Sequence, residues 1–345
     1  MDEQTFHSLL AKGIQHDASD VLLKVGQPPA LRVAGDLYYM QAEKLGPQNT
    51  LQVAEIVLSK SRFSGPITEL REYDCSYAVA GVGRYRVNIF RQRQSLALAM
   101  RSIPINVPTF DQLGTPISVR NFATLERGLV LVVGAAGNGK SSTLAAIIGE
   151  MNRARRIHIV TIEDPIEFLH TDALASISQR EVGLDTSSFA SALRAALRQD
   201  PDVILVGEIR DQETMEIALK AAETGHLVLS TLHTPDVART VGRVLSLLGM
   251  KEAQETRERF ADALKGVVAQ RLVPRVEGGV AAAVEVLVNT PTARESLRRP
   301  ENNLPLKEVM ERGVHPYGMQ TFEMHLKELL RAGVISIETA RQHIG

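Results

Sequence analysis

The segment GAAGNGKS at residues 134–141 restricts the fold of this chain more than any other part of the sequence. It has the spacing of a P-loop: a glycine, four residues, a second glycine, then lysine and serine. The apolar run 129–133 precedes it, and a stretch rich in alanine and isoleucine, residues 142–151, follows it. A strand, a glycine-rich turn and a helix in this order direct backbone N–H groups and the positive helix N-terminus at phosphate. The sequence therefore predicts a site for a nucleoside triphosphate.

The residue types in this loop predict how the triphosphate is held. Lys140 would reach the β- and γ-phosphates, and the hydroxyl of Ser141 would hold Mg²⁺. Backbone N–H groups of the turn and of the first helical turn would supply the other contacts. The predicted binding residues are Gly134, Ala135, Ala136, Gly137, Asn138, Gly139, Lys140, Ser141 and Ser142.

Length, charge and cysteine content limit the class of protein. A chain of 345 residues is long enough for about two domains, and its formal net charge of −1 gives no general attraction to nucleic acid. No apolar run approaches the roughly 20 residues that span a bilayer, and the N-terminus lacks a signal pattern. We therefore expect a cytoplasmic protein without an integral membrane segment. The single cysteine, Cys75, excludes an internal disulfide and a cysteine-clustered zinc site.

The first part of the chain, residues 1–105, has the pattern of a small α+β domain. Polar and apolar residues alternate in segments such as 30–33 and 83–90, which predicts strands with one buried face. A short helix is expected near residues 51–59. Prolines and a glycine interrupt residues 106–118 without clear periodicity, so we predict a linker there.

The central part, residues 119–275, predicts a doubly wound α/β domain built around the P-loop. Short apolar runs alternate with helical patterns, as in buried parallel strands covered by helices. These runs are residues 129–133, 157–162, 203–206 and 227–230. The last part of the chain, residues 276–345, is predicted to be a helical C-terminal region.

Two carboxylates follow predicted strands of this domain. Glu163 ends the run 157–162 and is our candidate for the base that activates a water molecule. The alternative is a solvated acidic turn. Glu208 follows the run 203–206, where P-loop proteins place a carboxylate that holds Mg²⁺, usually through water.

Two histidines, His226 and His233, lie at opposite ends of one predicted strand. About 20 Å of strand separates them, so they cannot share a metal ion. Either one is a candidate sensor of the phosphate state. The alternative is an ordinary hydrogen-bonded histidine at each end.

The order of four segments resembles the secretion ATPase superfamily. GAAGNGKS, VTIEDPIEFLH, LRQDPDVILVGEIRD and AAETGHLVLSTLHT resemble its Walker A, Asp-box, Walker B and His-box segments. Within it, the chain is most similar to the type IV pilus retraction ATPases of the PilT/PilU group. Further segments with counterparts there extend the resemblance over nearly the whole chain, among them ASDVLLKVGQPPALRVAGDL, GRYRVNIF, ISQREVGLD and LKGVVAQRLVP.

The resemblance implies an ATP-hydrolysing motor that retracts pili and drives twitching motility. It implies a RecA-like P-loop domain preceded by a PAS-like N-terminal domain, in a hexameric ring with ATP between the two domains. Arg86 and Arg101 would then complete the site from the N-terminal domain. The alternative for such alternating arginines is the solvated face of a strand. The implied partners are an inner-membrane platform protein at the pilus base, where the motor would be peripherally associated, and a paralogous retraction ATPase.

The sequence also departs from parts of the family pattern. Assembly and type II secretion ATPases carry an additional N-terminal domain and a tetracysteine element. This chain has neither the length nor the cysteines for them, so we expect a retraction type. EVLVNTP and GMQTFEMHLKELLRAG are closer to PilU, and residues 292–297 match the AIRNLI element of PilT only in part. Ala136 and Asn138 replace the usual threonine and serine of the loop.

Two other functions agree with parts of the sequence. One is a nucleic-acid translocase of related ring design, which would favour basic pore loops or stacking aromatics. The chain has no tryptophan and only 4% aromatic residues, so we expect no nucleic acid partner. The other is an accessory nucleotide-binding subunit of a pilus motor with weak turnover.

Overall fold

The computed structural model describes residues 1–33, 35–104, 106–249 and 253–343. Backbone contacts divide the chain into two compact units. The first comprises Met1–Asn106 and Pro165–Leu169, and the second comprises Val107–Asp164 and His170–Gly345. Among the described residues, none of the helices combines the length and the apolar character needed to traverse a bilayer.

The first unit is an antiparallel sheet packed against two helices. Its strands are β1 (Asp20–Leu23), β2 (Ala30–Val33), β3 (Asp36–Tyr39), β4 (Glu72–Val79), β5 (Gly83–Gln92) and β6 (Ser95–Ile103), in the order β3-β2-β1-β6-β5-β4. The helices are α1 (Glu3–Gln15) and α2 (Pro47–Ser59). Alternation along β5 explains the packing, since Tyr85, Val87 and Ile89 enter the core. The structure thus has an α+β unit where the sequence predicted one.

The second unit begins with residues that the sequence predicted to be a linker. Residues 110–113 and 117–120 form two short helices, α3 (Phe110–Leu113) and α4 (Ile117–Arg120), followed by a 3-10 turn, Asn121–Thr124. Phe110 and Val119 bury their side chains in the core of this unit. The described residues between 106 and 118 therefore do not form an extended linker, because the buried side chains of Phe110 and of the following Val119 anchor them.

A mixed sheet organises the second unit. Its strands are β7 (Gly128–Val133), β8 (His158–Glu163), β9 (Ser176–Glu181), β10 (Val203–Val206), β11 (Leu227–Leu232), β12 (Leu264–Pro274) and β13 (Val280–Val288), in the order β13-β12-β7-β11-β10-β8-β9. All neighbours pair in parallel except β12 and β13. The four apolar runs predicted to be buried parallel strands are β7, β8, β10 and β11.

Helices cover both faces of this sheet. They are α5 (Lys140–Ala154), α6 (Phe189–Ala196), α7 (Gln212–Glu223), α8 (Val237–Leu248), α9 (Ala253–Ala263), α10 (Pro291–Arg298), α11 (Leu306–Arg312), α12 (Phe322–Arg331) and α13 (Ile337–His343), with a 3-10 turn at Pro300–Asn302. Successive residues of β7 point to opposite faces. Val130 and Val132 share a core with α5, whereas Leu129 and Leu131 share one with α6 and α7.

The prediction of a helical region after residue 275 needs one correction. That region starts with the strand β13, which pairs antiparallel with β12, and becomes helical only from α10 onward. The segment VAAAVEVLV is apolar almost throughout, so its periodicity does not separate a strand from a buried helix. Pairing with β12 decides in favour of the strand.

A buried histidine links the helical region to this strand. His325 on α12 is 5% exposed, and its Nδ1 accepts a hydrogen bond of 2.9 Å from the backbone N–H of Val284. Burial disfavours the charged ring, so the pKa of His325 falls from 6.5 to about 4.

Acidification should therefore destabilise the protein through His325. The unfolded chain takes up a proton below pH 6.5, whereas the folded chain resists it down to about pH 4, so the stability contribution is lost as the pH falls. We expect His325 alone to lower the free energy of unfolding by about 2 kcal/mol between pH 7.5 and 5. Urea unfolding measures this change.

The substitution His325→Gln keeps an acceptor for Val284 but does not titrate. It should remove this share of the pH dependence and leave the share of His170, whose pKa burial also lowers to about 4. The exposed His16→Gln is the matched control and should unfold as the native chain does. Equal pH dependence in His325→Gln and the native chain would contradict the prediction.

Candidate active site

The P-loop connects the end of β7 to the start of α5, as the sequence predicted. Gly134, Gly137 and Gly139 have φ angles of +149°, +78° and +75°, which side-chain-bearing residues rarely adopt. Ala135, Ala136 and Gly137 are exposed at the crest of the turn. The N–H groups of the first turn of α5 have no acceptor within the helix, so this turn can receive a phosphate.

The side chain of Lys140 folds back over this loop. Its Nζ donates to the carbonyl oxygens of Gly134 and Ala135, at 2.9 and 3.0 Å, and the residue is only 8% exposed. The ammonium group is thereby held at the loop, where it can act on an incoming phosphate. Ser141 and Ser142 are half-buried on the first turn of α5.

The P-loop is anchored by a buried glutamine that lies far along the chain but on the neighbouring strand β12, and the sequence did not predict this contact. Gln270 on β12 donates from Nε2 to the carbonyl of Asn138 at 2.8 Å and accepts from the hydroxyl of Thr143 at 2.7 Å. A Cβ at Gly134 would lie 2.4 Å from the carbonyl oxygen of Gln270, so this position needs a glycine. The available signal was a glutamine directly after the apolar residues GVVA in the segment LKGVVAQRLVP.

Asn138 adds a further contact to the same strand. Its Oδ1 accepts a hydrogen bond of 3.2 Å from the backbone N–H of Leu272. The asparagine in place of the usual loop serine therefore has a structural partner in this chain.

Glu208 lies at the same edge of the sheet as the P-loop. It follows β10, and the backbone around it is tied to β8 by the bond from Gly207 N–H to Ile162 and to β11 by the bond from Ile209 N–H to Thr231. Its carboxylate has a side-chain exposure of 12%, forms an ion pair with Arg210, and lies 3.3 Å from His233 Nε2. The carboxylate in turn raises the pKa of Arg210.

Glu163 ends β8 at this edge. One of its oxygens, Oε1, accepts from the hydroxyl of Thr161 at 2.7 Å and from the side-chain amide of Gln179 at 3.1 Å. The strands β11 and β10 lie between β8 and β7, which separates the strand axes by about 14 Å. Glu163 therefore lies three strand spacings from the strand that leads into the P-loop, at the same edge of the sheet.

His226 lies at the opposite edge of the sheet. It precedes β11, its ring Nδ1 lies 3.1 Å from the carbonyl oxygen of Ala221, and its own carbonyl accepts from Gly128 at the start of β7. The length of β11, about 20 Å, separates it from the P-loop. Within one chain, His226 therefore lies far from the P-loop, whereas His233 lies beside Glu208.

The two predicted arginines lie on the first unit. Arg86 on β5 is directly opposite Arg101 on β6, and both are exposed. Arg101 donates from Nε to Asp20 at 3.0 Å. Each arginine thus belongs to the polar face of the antiparallel sheet.

Comparison with known proteins shows the family. Residues 98–331 match the model of the type II/IV secretion system proteins. The type IV pilus retraction ATPase PilT of Pseudomonas aeruginosa is 41% identical over 336 residues, which cover 97% of this chain and 96% of that protein. The chain belongs to the PilT/PilU family. It is an ATPase of the secretion and pilus group and a homologue of pilus retraction ATPases.

Other similar proteins agree with this assignment. The type IV pilus ATPase PilU of the same organism is 38% identical over 341 residues, covering 98% of this chain and 88% of that protein. The crystal structure of the pilus retraction motor PilT with bound ADP matches with a TM-score of 0.88, 38% identity, and coverage of 97% and 96%. The Legionella pneumophila ATPase DotB matches with a TM-score of 0.82, 28% identity, and coverage of 98% and 94%.

Substitution of Gln270 tests the anchored loop. Gln270→Leu removes both hydrogen bonds and leaves the carbonyl of Asn138 and the hydroxyl of Thr143 buried without this partner, which costs about 1–3 kcal/mol. Since the loop must be ordered to bind phosphate, the Kd for ADP should rise roughly 10-fold. Titration with a fluorescent nucleotide measures this. Gln254→Leu, at an exposed position, is the control and should bind normally. An unchanged Kd in a folded Gln270→Leu variant would contradict the prediction.

Proposed function

We propose that this chain forms a hexameric ring that hydrolyses ATP to drive retraction of a type IV pilus. The observation that carries the proposal is the common edge of the sheet, where the P-loop, Glu163, Glu208 and His233 are gathered. Membership of the PilT/PilU family supports it, as does the ADP bound in the matched PilT structure.

The P-loop would bind the phosphates of ATP. The loop N–H groups and the ammonium of Lys140 neutralise phosphate charge, and the carbonyl bonds of Lys140 are exchanged for phosphate oxygens when the nucleotide enters. Mg²⁺ fits the donors present, because it prefers a few hard oxygen ligands together with water and phosphate. Ser141 and Glu208 would hold it. The ion supplies stabilisation of charge on the phosphates.

Glu163 would be the general base. It takes a proton from the attacking water as the bond from water oxygen to the γ-phosphorus forms and the bond to the ADP oxygen breaks. Thr161 and Gln179 hold one carboxylate oxygen and thereby orient the group. His233, which contacts Glu208, would respond to loss of the γ-phosphate through that carboxylate.

Arg86 and Arg101 would complete the site from the N-terminal domain. An arginine at the γ-phosphate stabilises the transition state and contributes on the order of 10³–10⁵ in rate. A site shared in this way would form only in the ring. Closure of the N-terminal domain over ATP would then couple hydrolysis to movement. In this proposal, residues 1–105 are the PAS-like domain, residues 119–275 the RecA-like core, and residues 276–345 a C-terminal region.

The setting of the motor is part of the same proposal. The ring would lie in the cytoplasm, peripherally attached to the inner membrane at the pilus base. There it would act on the platform protein, with a paralogous retraction ATPase as a further partner. Residues 292–297 match the AIRNLI element of PilT only in part, which supports retraction together with such a paralogous ATPase.

Paired glutamine substitutions separate nucleotide binding from chemistry. Glu163→Gln should keep the Kd for ATP within a few-fold of native and lower kcat by about 10²-fold or more, because only proton transfer is lost. Glu208→Gln should weaken binding in the presence of Mg²⁺ as well. Steady-state hydrolysis and nucleotide titration measure both effects, and Lys140→Ala serves as the inactive reference. Near-normal turnover in Glu163→Gln with a severe defect in Glu208→Gln would transfer the role of base to Glu208.

Mixing of two inactive variants tests the shared site. Arg101→Ala retains an intact P-loop, and Lys140→Ala retains an intact arginine. In a mixed ring some interfaces pair the two intact groups, so ATPase activity should partly recover, and native activity should rise with protein concentration as rings form. A monomer that hydrolyses ATP at full rate at every dilution would contradict the hexameric motor.

A further inference from the structure

A row of charged side chains crosses four adjacent strands of the first unit. Arg86 on β5 is opposite Arg101 on β6, Arg101 is opposite Asp20 on β1, and Asp20 is opposite Arg32 on β2. Register partners in an antiparallel sheet share one face, so all four lie on the same side. The adjacent residues Tyr85, Val87, Met100, Val21 and Leu31 point the other way and are buried in the core.

The charges in this row are unequal. Three arginines accompany a single carboxylate, and two of them, Arg86 and Arg101, are directly opposite each other. Like charges in that position repel, which costs stability unless an anion is bound nearby. Asp20 provides part of this compensation on one side of Arg101. Within the row, the excess of positive charge lies toward Arg86.

The contact between Asp20 and Arg101 has a specific geometry. Oδ1 of Asp20 accepts from Nε of Arg101 at 3.0 Å, and the side chain of Asp20 is only 14% exposed. Oδ2 accepts from the hydroxyl of Ser19 at 2.8 Å and lies 3.8 Å from Nε of Arg32. The hydroxyl of Ser19 therefore holds Oδ2 independently of Arg101, and Oδ1 accepts from Arg101.

Arg101 itself is held at one atom. Its side chain is 72% exposed, and within the described ranges it makes no hydrogen bond from its two Nη groups. A guanidinium held at Nε keeps its plane and direction, while the Nη groups can form the paired bonds that phosphate accepts.

We propose that Asp20 is the positioning residue that holds Arg101 ready to receive the γ-phosphate of ATP. The inference rests on the proposed function, in which Arg101 acts on that phosphate. Asp20 contacts neither nucleotide nor water in this role. It fixes Nε of Arg101 and leaves the Nη groups for the ligand. A displaced guanidinium would lose transition-state stabilisation more than ground-state binding, so kcat carries the effect.

Four substitutions test the inference through hydrolysis kinetics of the full chain. Asp20→Ala removes the contact and should lower kcat roughly 10-fold or more, with KM within about 3-fold of native. Asp20→Asn keeps the acceptor in place and should retain more of the activity. Asp20→Glu keeps the charge but moves the carboxylate, and should lose more than Asp20→Asn. Arg32→Ala, on the other side of the same carboxylate, is the matched control and should stay within about 3-fold.

The double variant Asp20→Ala with Arg101→Ala decides whether Asp20 acts through Arg101. Its kcat should equal that of Arg101→Ala alone, since nothing remains to be positioned. A further loss in the double variant, or a higher kcat in Asp20→Glu than in Asp20→Asn, would overturn the inference. If Asp20→Ala does not fold, the order of the Glu and Asn variants gives the answer.

The result for Arg101→Ala alone separates the two levels of the proposal. Impaired Arg101→Ala with native kcat in Asp20→Ala would overturn the role of Asp20 and leave the arginine in place. Native kcat in Arg101→Ala would instead overturn the role of Arg101 in the proposed function, and the role of Asp20 with it.

Discussion

Parallel pairing of β8, β10, β11 and β7 is the constraint on which the candidate site depends. Parallel neighbours bring the loops that follow them to one edge, and this edge receives the P-loop, Glu163, Glu208 and His233. An antiparallel arrangement of the same strands would divide these groups between two edges. His226 illustrates the rule, since it precedes β11 and lies at the opposite edge.

The loop at this edge depends on a residue far along the chain. Gln270 fastens the P-loop through Asn138 and Thr143, and its own carbonyl oxygen leaves room for no side chain at Gly134. The strand β12 that carries Gln270 pairs with β7 on one side and β13 on the other. Formation of the phosphate loop is therefore tied to completion of the sheet.

Charge is used differently in the two units. In the second unit, neutral or cationic partners hold the carboxylates at the common edge of the sheet, as Thr161 and Gln179 hold Glu163. In the first unit, three arginines share a cross-strand row with one carboxylate, Asp20. An anionic ligand would reduce the repulsion between Arg86 and Arg101, which favours the proposed interaction with ATP.

The sequence alone determined the elements that depend on local pattern. The P-loop, the four apolar parallel strands and the carboxylates that follow two of them were all read from spacing and periodicity, because glycine geometry and strand burial are local requirements. Tertiary structure decided the rest. Pairing with β12 made β13 a strand although VAAAVEVLV is apolar except for Glu285. Packing of Phe110 and Val119 made an apparent linker part of a core. The contacts of Gln270 and Asp20 join residues more than 80 positions apart, and such contacts exist only after sheet order and register are set.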